Sequence, residues 1–263
     1  MIKREFSVNL IKFIIWISIL MGTFLMVYLM YPFMITDELI ESMDEMIKMF
    51  PEEMLKAFNM DMSSISTAYG WLKSEGFTFV LLIIGFYSSF LGANILLKEE
   101  SDKTVEYLIS LPITRSKIIT NKIIVAITYI ISLVVIFTIF NFISLAIIDD
   151  IDYKQFLLLS LTPLFIALPL FAMSLFVSTL MHKTGKMIGI CIGMVLGFYL
   201  LNTLSELSPK VEFFKYFSIY TLGDVRNVIA NTKMSPICII LSLAITGVFI
   251  AGTYVIYNKK ELV

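Results

Sequence analysis

Histidine, cysteine and paired carboxylates are the side chains that most often bind metals or act in catalysis, and this sequence has few of them. His182 is its one histidine, and its two cysteines, Cys191 and Cys238, both lie inside apolar runs. One histidine cannot assemble a metal cluster alone, and cysteines in such runs are best interpreted as small buried residues. Metal-centred and thiol chemistry are therefore disfavoured.

The acidic residues Glu75, Asp149, Asp150 and Asp152 lie at the edges of the apolar runs and not in their centres. A carrier driven by protons or sodium needs carboxylates near the bilayer midplane. An intramembrane protease or a lipid-modifying transferase needs converging nucleophiles, metal ligands or acid pairs. The sequence favours neither class, and an intramembrane enzyme is the weaker alternative.

The sequence contains no G-x-x-x-x-G-K-[ST] phosphate-binding loop. The nearest segment, Thr184-Gly185-Lys186-Met187, lacks both the upstream glycine and a hydroxyl after the lysine. A phosphate-binding loop needs these groups to approach the phosphates and to hold Mg²⁺. We therefore expect no ATPase site and no bound cofactor in this chain, so a motor that drives it has to be a separate protein.

The composition indicates that most of the chain faces lipid. Its 263 residues are 58% hydrophobic and 16% charged, with a mean hydropathy of +0.89, whereas roughly a quarter of the residues in a soluble domain are charged. A helix needs about 20 apolar residues to cross a bilayer. Six runs are suitable, at about 13–35, 77–97, 118–148, 156–181, 187–204 and 237–257. We predict an all-α integral membrane protein with one six-span domain over residues 1–263, and not a soluble enzyme.

Lys and Arg are unevenly distributed about these spans. The termini and the loops at 98–122 and 182–186 contain twelve of the 20 Lys and Arg residues, and the other side contains eight. Because cytosolic loops carry the excess of positive charge, we expect both termini in the cytosol. Residues 2–12 mix apolar and charged side chains, which favours a short interfacial helix before the first span.

Two longer segments are then expected on the outer face. Residues 37–75 place apolar side chains at helical spacing among acids, with Pro51 as an interruption. This pattern predicts two amphipathic helices on the membrane surface. Residues 205–235 contain a group of aromatic side chains that is typical of a membrane surface.

The segment between the second and third spans has a pattern of its own. Ser101 can cap a helix, and Pro112 stops that helix about three turns later. Val105, Leu108 and Ile109 are spaced to share one face of it. Two interpretations are open: a helix that anchors the loop at the membrane surface, or a coupling helix that docks on a cytosolic motor.

The same segment carries a further pattern of residue types. It consists of Glu100, Thr104, Glu106, Leu108, Leu111, Pro112, Ile113, Thr114, Arg115 and Lys122. This pattern resembles the corresponding loop of ABC-2 type transporter permeases, although Lys103 stands where the family usually has glycine. Six spans, an interfacial N-terminal helix and a larger outer segment between the fifth and sixth spans are also similar to the family plan.

The resemblance implies a transport subunit of a bacterial plasma membrane and not an enzyme. Permeases of this family work as dimers with two cytosolic ABC ATPase subunits, which alone use ATP and Mg. The expected partners are therefore the ATPase, a second permease copy or paralogue, and the lipid bilayer, with no nucleic acid. The ATPase-contacting coupling helix is expected to contain Glu100, Asp102, Thr104, Val105, Glu106, Leu108, Ile109, Pro112 and Arg115.

One face of the fifth span has glycine at every fourth position. The four residues are Gly185, Gly189, Gly193 and Gly197. Because small residues let membrane helices approach closely, we expect this face to pack within the protomer. The alternative is that it lies near the dimer axis and the transport pathway.

Polar residues and prolines inside the spans also have two interpretations. Asn94, Asn141 and Asn202 are expected to form hydrogen bonds between helices, with lining of a pathway as the alternative. Pro163 and Pro169 should kink the fourth span and free backbone carbonyls that neighbouring groups must satisfy.

The substrate is indicated only by the outer segment. Residues 43–62 are rich in methionine, a soft and adaptable side chain, and permeases of the family export peptides, antibiotics, lipids or polysaccharides. We expect export of amphipathic or hydrophobic molecules such as antimicrobial or toxic peptides, although the methionines could equally seat helices on lipid. The alternative function is a non-transporting scaffold or immunity protein that binds a partner through the same loop.

Overall fold

A computed structural model describes residues 2–34, 76–101, 114–148, 152–181 and 184–260, and every regular element in these ranges is a helix. Six of the described helices are long and apolar enough to cross a membrane. They are α1 (Ile2–Met34), α2 (Phe77–Ser101), α3 (Arg115–Ile148), α4 (Tyr153–Thr179), α5 (Thr184–Leu207) and α7 (Pro236–Lys259). The predicted all-α, six-span fold is confirmed.

The connection between α5 and α7 is also helical. It consists of the 3-10 helices Pro209–Phe217 and Tyr220–Gly223, followed by α6 (Val225–Asn231). The carboxylate of Asp224 fixes the end of this connection, because its Oδ2 accepts a hydrogen bond from the backbone N–H of Ser235 at 2.7 Å. The outer helices predicted within 37–75 lie outside the described residues.

Residues 2–12 differ from their prediction, because they form the first turns of α1 and not a separate interfacial helix. The first glycine of the chain is Gly22 and no proline precedes it, so nothing in the sequence interrupts helix propagation over these turns. At 33 residues, α1 is roughly 50 Å long. It therefore exceeds the hydrocarbon thickness of about 30 Å.

The central helix α4 packs against α2, α3 and α7. It approaches α2 so closely that a Cβ at Gly92 would touch the carbonyl oxygen of Phe171. One turn away, the hydroxyls of Ser89 and Ser174 share a hydrogen bond of 2.6 Å. Small residues and buried hydroxyls are the usual means of joining helices in lipid, where dispersion and polar contacts supply the attraction.

The two prolines of α4 leave carbonyls without a helical donor, and hydroxyl groups satisfy both. Pro163 frees the carbonyl of Leu159, which accepts a hydrogen bond from Thr162 Oγ1 at 2.7 Å. Pro169 frees the carbonyl of Phe165, which accepts from Ser242 Oγ on α7, also at 2.7 Å. The predicted compensation is therefore present, and at Phe165 it joins two spans.

Candidate functional site

Charged side chains converge at the end of the bundle where α2 and α7 finish and α1, α3 and α5 begin. We call this group the termini cluster, since residues near both chain termini belong to it. It consists of Glu5, Glu99, Glu100, Arg115, Lys122 and Lys260. The last residues of α2 and the first residues of α3 both belong to this cluster.

Lys122 occupies the interior of the termini cluster and is only 2% exposed. Its Nζ lies 3.2 Å from Oε1 of Glu5 and 3.1 Å from Oε1 of Glu99. It also donates to the carbonyl of Ile95 at 2.8 Å. An ammonium has three donors, so these contacts account for all of them. A buried charge is tolerated when it is paired and hydrogen-bonded, and here the pairing joins α1, α2 and α3.

Lys260, the residue after α7, forms the second ion pair of the cluster. Its Nζ lies 2.8 Å from Oε1 and 2.7 Å from Oε2 of Glu100. The third donor is directed at the carbonyl of Met181, 2.8 Å away, just beyond α4. The ends of α2, α4 and α7 are thereby held together.

Arg115 begins α3 and binds the backbone at the end of α7. Its Nη1 donates to the carbonyl of Lys260 at 2.7 Å and lies 3.5 Å from the carbonyls of Tyr257 and Asn258. The last carbonyls of a helix lack intrahelical donors and carry partial negative charge. The guanidinium of Arg115 therefore caps the end of α7, and Arg115 itself is the first residue of α3.

Neutral side chains extend the contact between α3 and α7. Ser116 and Asn258 share a hydrogen bond of 3.1 Å, and Thr120 Oγ1 lies 2.6 Å from the hydroxyl of Tyr254. The hydroxyl of Thr114 accepts from the backbone N–H of Lys117 at 3.4 Å and so caps the start of α3.

The structure describes only the two edges of the predicted coupling segment. Glu100 and Arg115 are engaged by the C-terminal tail as given above, and their contact with an ATPase stays a prediction. Ser101, expected to cap the loop helix, is the last residue of α2, and its hydroxyl lies 3.3 Å from that of Thr184. The remaining predicted contact residues lie outside the described residues; they are Asp102, Thr104, Val105, Glu106, Leu108, Ile109 and Pro112.

The three asparagines differ in what they bind. Asn141 on α3 accepts a 2.6 Å hydrogen bond from the hydroxyl of Tyr28 on α1, as predicted for a contact between helices. Asn202 accepts from Thr221 Oγ1 at 3.1 Å and so fixes the outer connection to α5. Asn94 donates to the carbonyl of Phe90 in its own helix and faces a groove between α1, α2 and α5.

The glycine face of α5 does not pack within the described part of the protomer, contrary to the expectation from the sequence. A Cβ built on Gly185, Gly189, Gly193 or Gly197 meets no described atom within 4 Å. The opposite face carries the buried residues Met187, Cys191 and Val195, so α5 is attached to the bundle by its non-glycine side. Among the described residues, the glycine face has no neighbour.

Tyr220 occupies the opposite end of the bundle. Its side chain is 3% exposed, and its hydroxyl has no hydrogen-bond partner among the described residues. The hydroxyl lies over Gly85 of α2, where a Cβ would be only 2.6 Å from it. Burial raises the pKa of Tyr220 well above its usual range, so the phenol stays neutral.

Sequence reasoning missed most of the termini cluster. Glu5, Glu99 and Lys260 have no predicted role, and Lys122 enters the predictions only as the last residue of the pattern that resembles ABC-2 type permeases. The available signal was the presence of both charge signs beside apolar runs on the same predicted side of the membrane. Charges at such positions need partners, but the sequence does not say which charges pair.

The fold and the termini cluster define a multi-pass helical membrane protein. Residues 2–262 match the family model described as ABC-2 family transporter protein, and the chain belongs to this family. It is thus a transporter permease subunit, of a family that normally works with ABC ATPase subunits. No curated protein and no solved structure matches the chain.

Proposed function

We propose that this chain is the membrane-spanning subunit of an ATP-driven exporter powered by a separate ATPase. Family membership supports transport, and a sequence without a phosphate-binding loop needs an external motor. The observation that carries the proposal is that Glu100 and Arg115, at the two edges of the α2–α3 loop, both bind Lys260. A loop fixed at both edges to one point can pass a displacement to two spans together.

The proposal places this loop and both termini in the cytosol. Twelve of the 20 Lys and Arg residues lie on that side of the six spans, which the positive-inside rule assigns to the cytosol. The contacts of Glu5 with Lys122 and of Glu100 with Lys260 support the assignment, because they gather both chain ends and the loop at one end of the bundle. The membrane is then the plasma membrane of a bacterium, where an ATPase reaches the loop from the cytosol.

A second permease, either a copy or a paralogue, is proposed as the partner in the membrane. The support is the open glycine face of α5, which has no described neighbour within the protomer. Small residues let two helix backbones approach closely, and the van der Waals contacts that result favour helix association in lipid. A dimer that buries Gly189 and Gly193 would satisfy this face.

Amphipathic or hydrophobic cargo, such as antimicrobial or toxic peptides, is proposed from the sequence alone. The support is the methionine-rich segment 43–62, which lies outside the described residues. Flexible thioether side chains adapt to apolar ligands of different shape. Deletion of residues 43–62 is expected to reduce export of such peptides, and unchanged export of every amphipathic peptide tested would contradict the assignment.

The experiment that tests the proposed function begins with purification of the tagged chain from its native membrane in mild detergent. An ABC ATPase is expected to co-purify, and the pair in liposomes should couple ATP hydrolysis to movement of a labelled amphipathic peptide. A non-hydrolysable ATP analogue is the control. An ATPase that binds the chain but moves no peptide in the presence of ATP would instead favour a scaffold or immunity protein.

A further inference from the structure

Lys260 contacts both edges of the loop between α2 and α3. Its ammonium pairs with Glu100, which precedes the loop, and its carbonyl accepts a hydrogen bond from Arg115, which follows the loop. Both contacts are made to one residue, Lys260, so neither edge can move away from the C-terminal tail without breaking a short contact. The tail is thus a structural link between the two edges.

We propose that Lys260, the first residue of the C-terminal tail after α7, is a brace that holds the two edges of the α2–α3 loop at a fixed separation. Lys260 and Arg115 are then positioning residues for the contact that this loop makes with an ATPase. The coupling part of this inference rests on the proposed function, whereas the restraint on the loop does not. Neither residue is assigned any contact with ATP or with a transported molecule.

Burial makes the ion pair suitable for this purpose. The side chains of Lys260 and Glu100 are 8% and 5% exposed, respectively. Both carboxylate oxygens of Glu100 accept from Nζ, and the carbonyl of Met181 takes the remaining donor. Loss of such a buried pair is much more disruptive than the loss of an exposed pair.

The brace also joins the loop to helices that are distant from it in the chain. Met181 connects Lys260 to the end of α4, and the three carbonyls bound by Arg115 belong to the end of α7 and the tail. A displacement of the loop would therefore reach α4 and α7 as well as α2 and α3. This gives an external motor a direct mechanical path to four spans.

The first test uses the purified chain without any ATPase. The Lys260→Met variant is compared with Lys259→Met, which changes the exposed neighbouring lysine. Each variant removes one trypsin site at the end of the chain, so the two differ only in the loss of the ion pair. Limited trypsin digestion is followed by mass spectrometry of cleavage within residues 98–117. Loss of the brace should raise this cleavage rate at least fivefold in Lys260→Met and leave it at the wild-type value in Lys259→Met.

The second test uses the chain assembled with its ATPase in liposomes. Transport per ATP hydrolysed is expected to fall by at least about fivefold in Lys260→Met, the lower end of the typical range of a coupling effect, while the ATPase still co-purifies. If Lys260 acts through Glu100, the double variant Glu100→Gln with Lys260→Met should be no worse than either single variant. Lys260→Arg should retain most of the coupling.

The two tests separate failure of the brace from failure of the proposed function. Equal cleavage of the loop in Lys260→Met and Lys259→Met would overturn the brace, whether or not an ATPase exists. Faster cleavage with unchanged transport per ATP would overturn the positioning role. A wild-type chain that shows no ATP-dependent transport would remove the proposed function, and the cleavage rates would still decide whether the tail restrains the loop.

Discussion

The ammonium of Lys122 lies 3.2 Å from the carboxylate of Glu5, although 117 positions separate them in the chain. The contact fastens the first turns of α1 to α3. Glu99 on α2 completes the group at 3.1 Å, so one buried cation is shared by two buried carboxylates. Such an arrangement depends on the lysine, because its removal would leave two like charges together in a medium of low dielectric constant.

The first prediction is that Lys122→Met destabilises the protein strongly. Removal of one partner from a buried ionic group typically lowers the free energy of unfolding by about 3–5 kcal/mol. Thermal unfolding in detergent should therefore show a large loss of stability, and the exposed Lys117→Met should show almost none. A triple variant that also neutralises Glu5 and Glu99 as Gln should recover part of the loss. Equal stability of Lys122→Met and Lys117→Met would contradict this account of the cluster.

The hydrogen bond from Ser242 to the carbonyl freed by Pro169 provides the second prediction. Ser242→Ala leaves the carbonyl of Phe165 without a donor inside the bundle, which should lower the free energy of unfolding by about 1–3 kcal/mol. Ser144→Ala is the matched control. The hydroxyl of Ser144 donates to the carbonyl of Phe140 in its own helix, and that carbonyl keeps its backbone N–H donor when the hydroxyl is removed. Thermal unfolding of both variants measures the difference, and the prediction fails if Ser144→Ala loses as much stability as Ser242→Ala.

The third prediction concerns the unpartnered hydroxyl of Tyr220. Because this group has lost water without gaining a partner among the described residues, Tyr220→Phe should leave stability unchanged or raise it. Tyr129→Phe is the comparison, because the hydroxyl of Tyr129 donates to the carbonyl of Phe6 at 2.6 Å. That variant should lose about 1 kcal/mol. A larger loss in Tyr220→Phe than in Tyr129→Phe would show that its hydroxyl has a partner in solution.

The fourth prediction compares two glycines of different helices. Gly92→Ala inserts a methyl group against the backbone of α4 and should lower the free energy of unfolding by about 1–3 kcal/mol. Gly189→Ala enters open space and should not destabilise the protomer. Gly189→Leu should instead reduce self-association in the membrane, because a large side chain would keep the two helices apart. Chemical cross-linking measures this self-association. Cross-linking at the wild-type level in Gly189→Leu would exclude this face from a dimer contact.

The positions of the six spans were predictable, because a long apolar run in the sequence is enough to identify a helix that crosses the membrane. The prediction for 156–181 differs from α4 (Tyr153–Thr179) by only a few residues, and α2 begins at the expected Phe77. The effect of the prolines was also predictable, since a missing N–H frees a specific carbonyl. The identity of Ser242 as the donor was not, because it depends on the rotation of α7 against α4.

The partners of charged residues were beyond the sequence for the same reason. Glu5, Glu99 and Lys122 come from three helices, and only their packing brings them together. The glycine pattern of α5 could not identify the neighbour of this face, because a small-residue stripe has the same sequence whether it faces its own chain or another. Residues 2–12 continue into α1 because local helix propagation outweighs their mixed polarity.

The central claim is that a separate ATPase acts through the α2–α3 loop. The most direct measurement of this claim uses the double variant Leu108→Asp with Ile109→Asp. Two carboxylates on the face that the sequence predicts to be apolar should be incompatible with an apolar groove on a partner. We expect the variant to insert in the membrane normally but to lose co-purifying ATPase and ATP-dependent transport. A variant that retains both at the wild-type level would contradict the account.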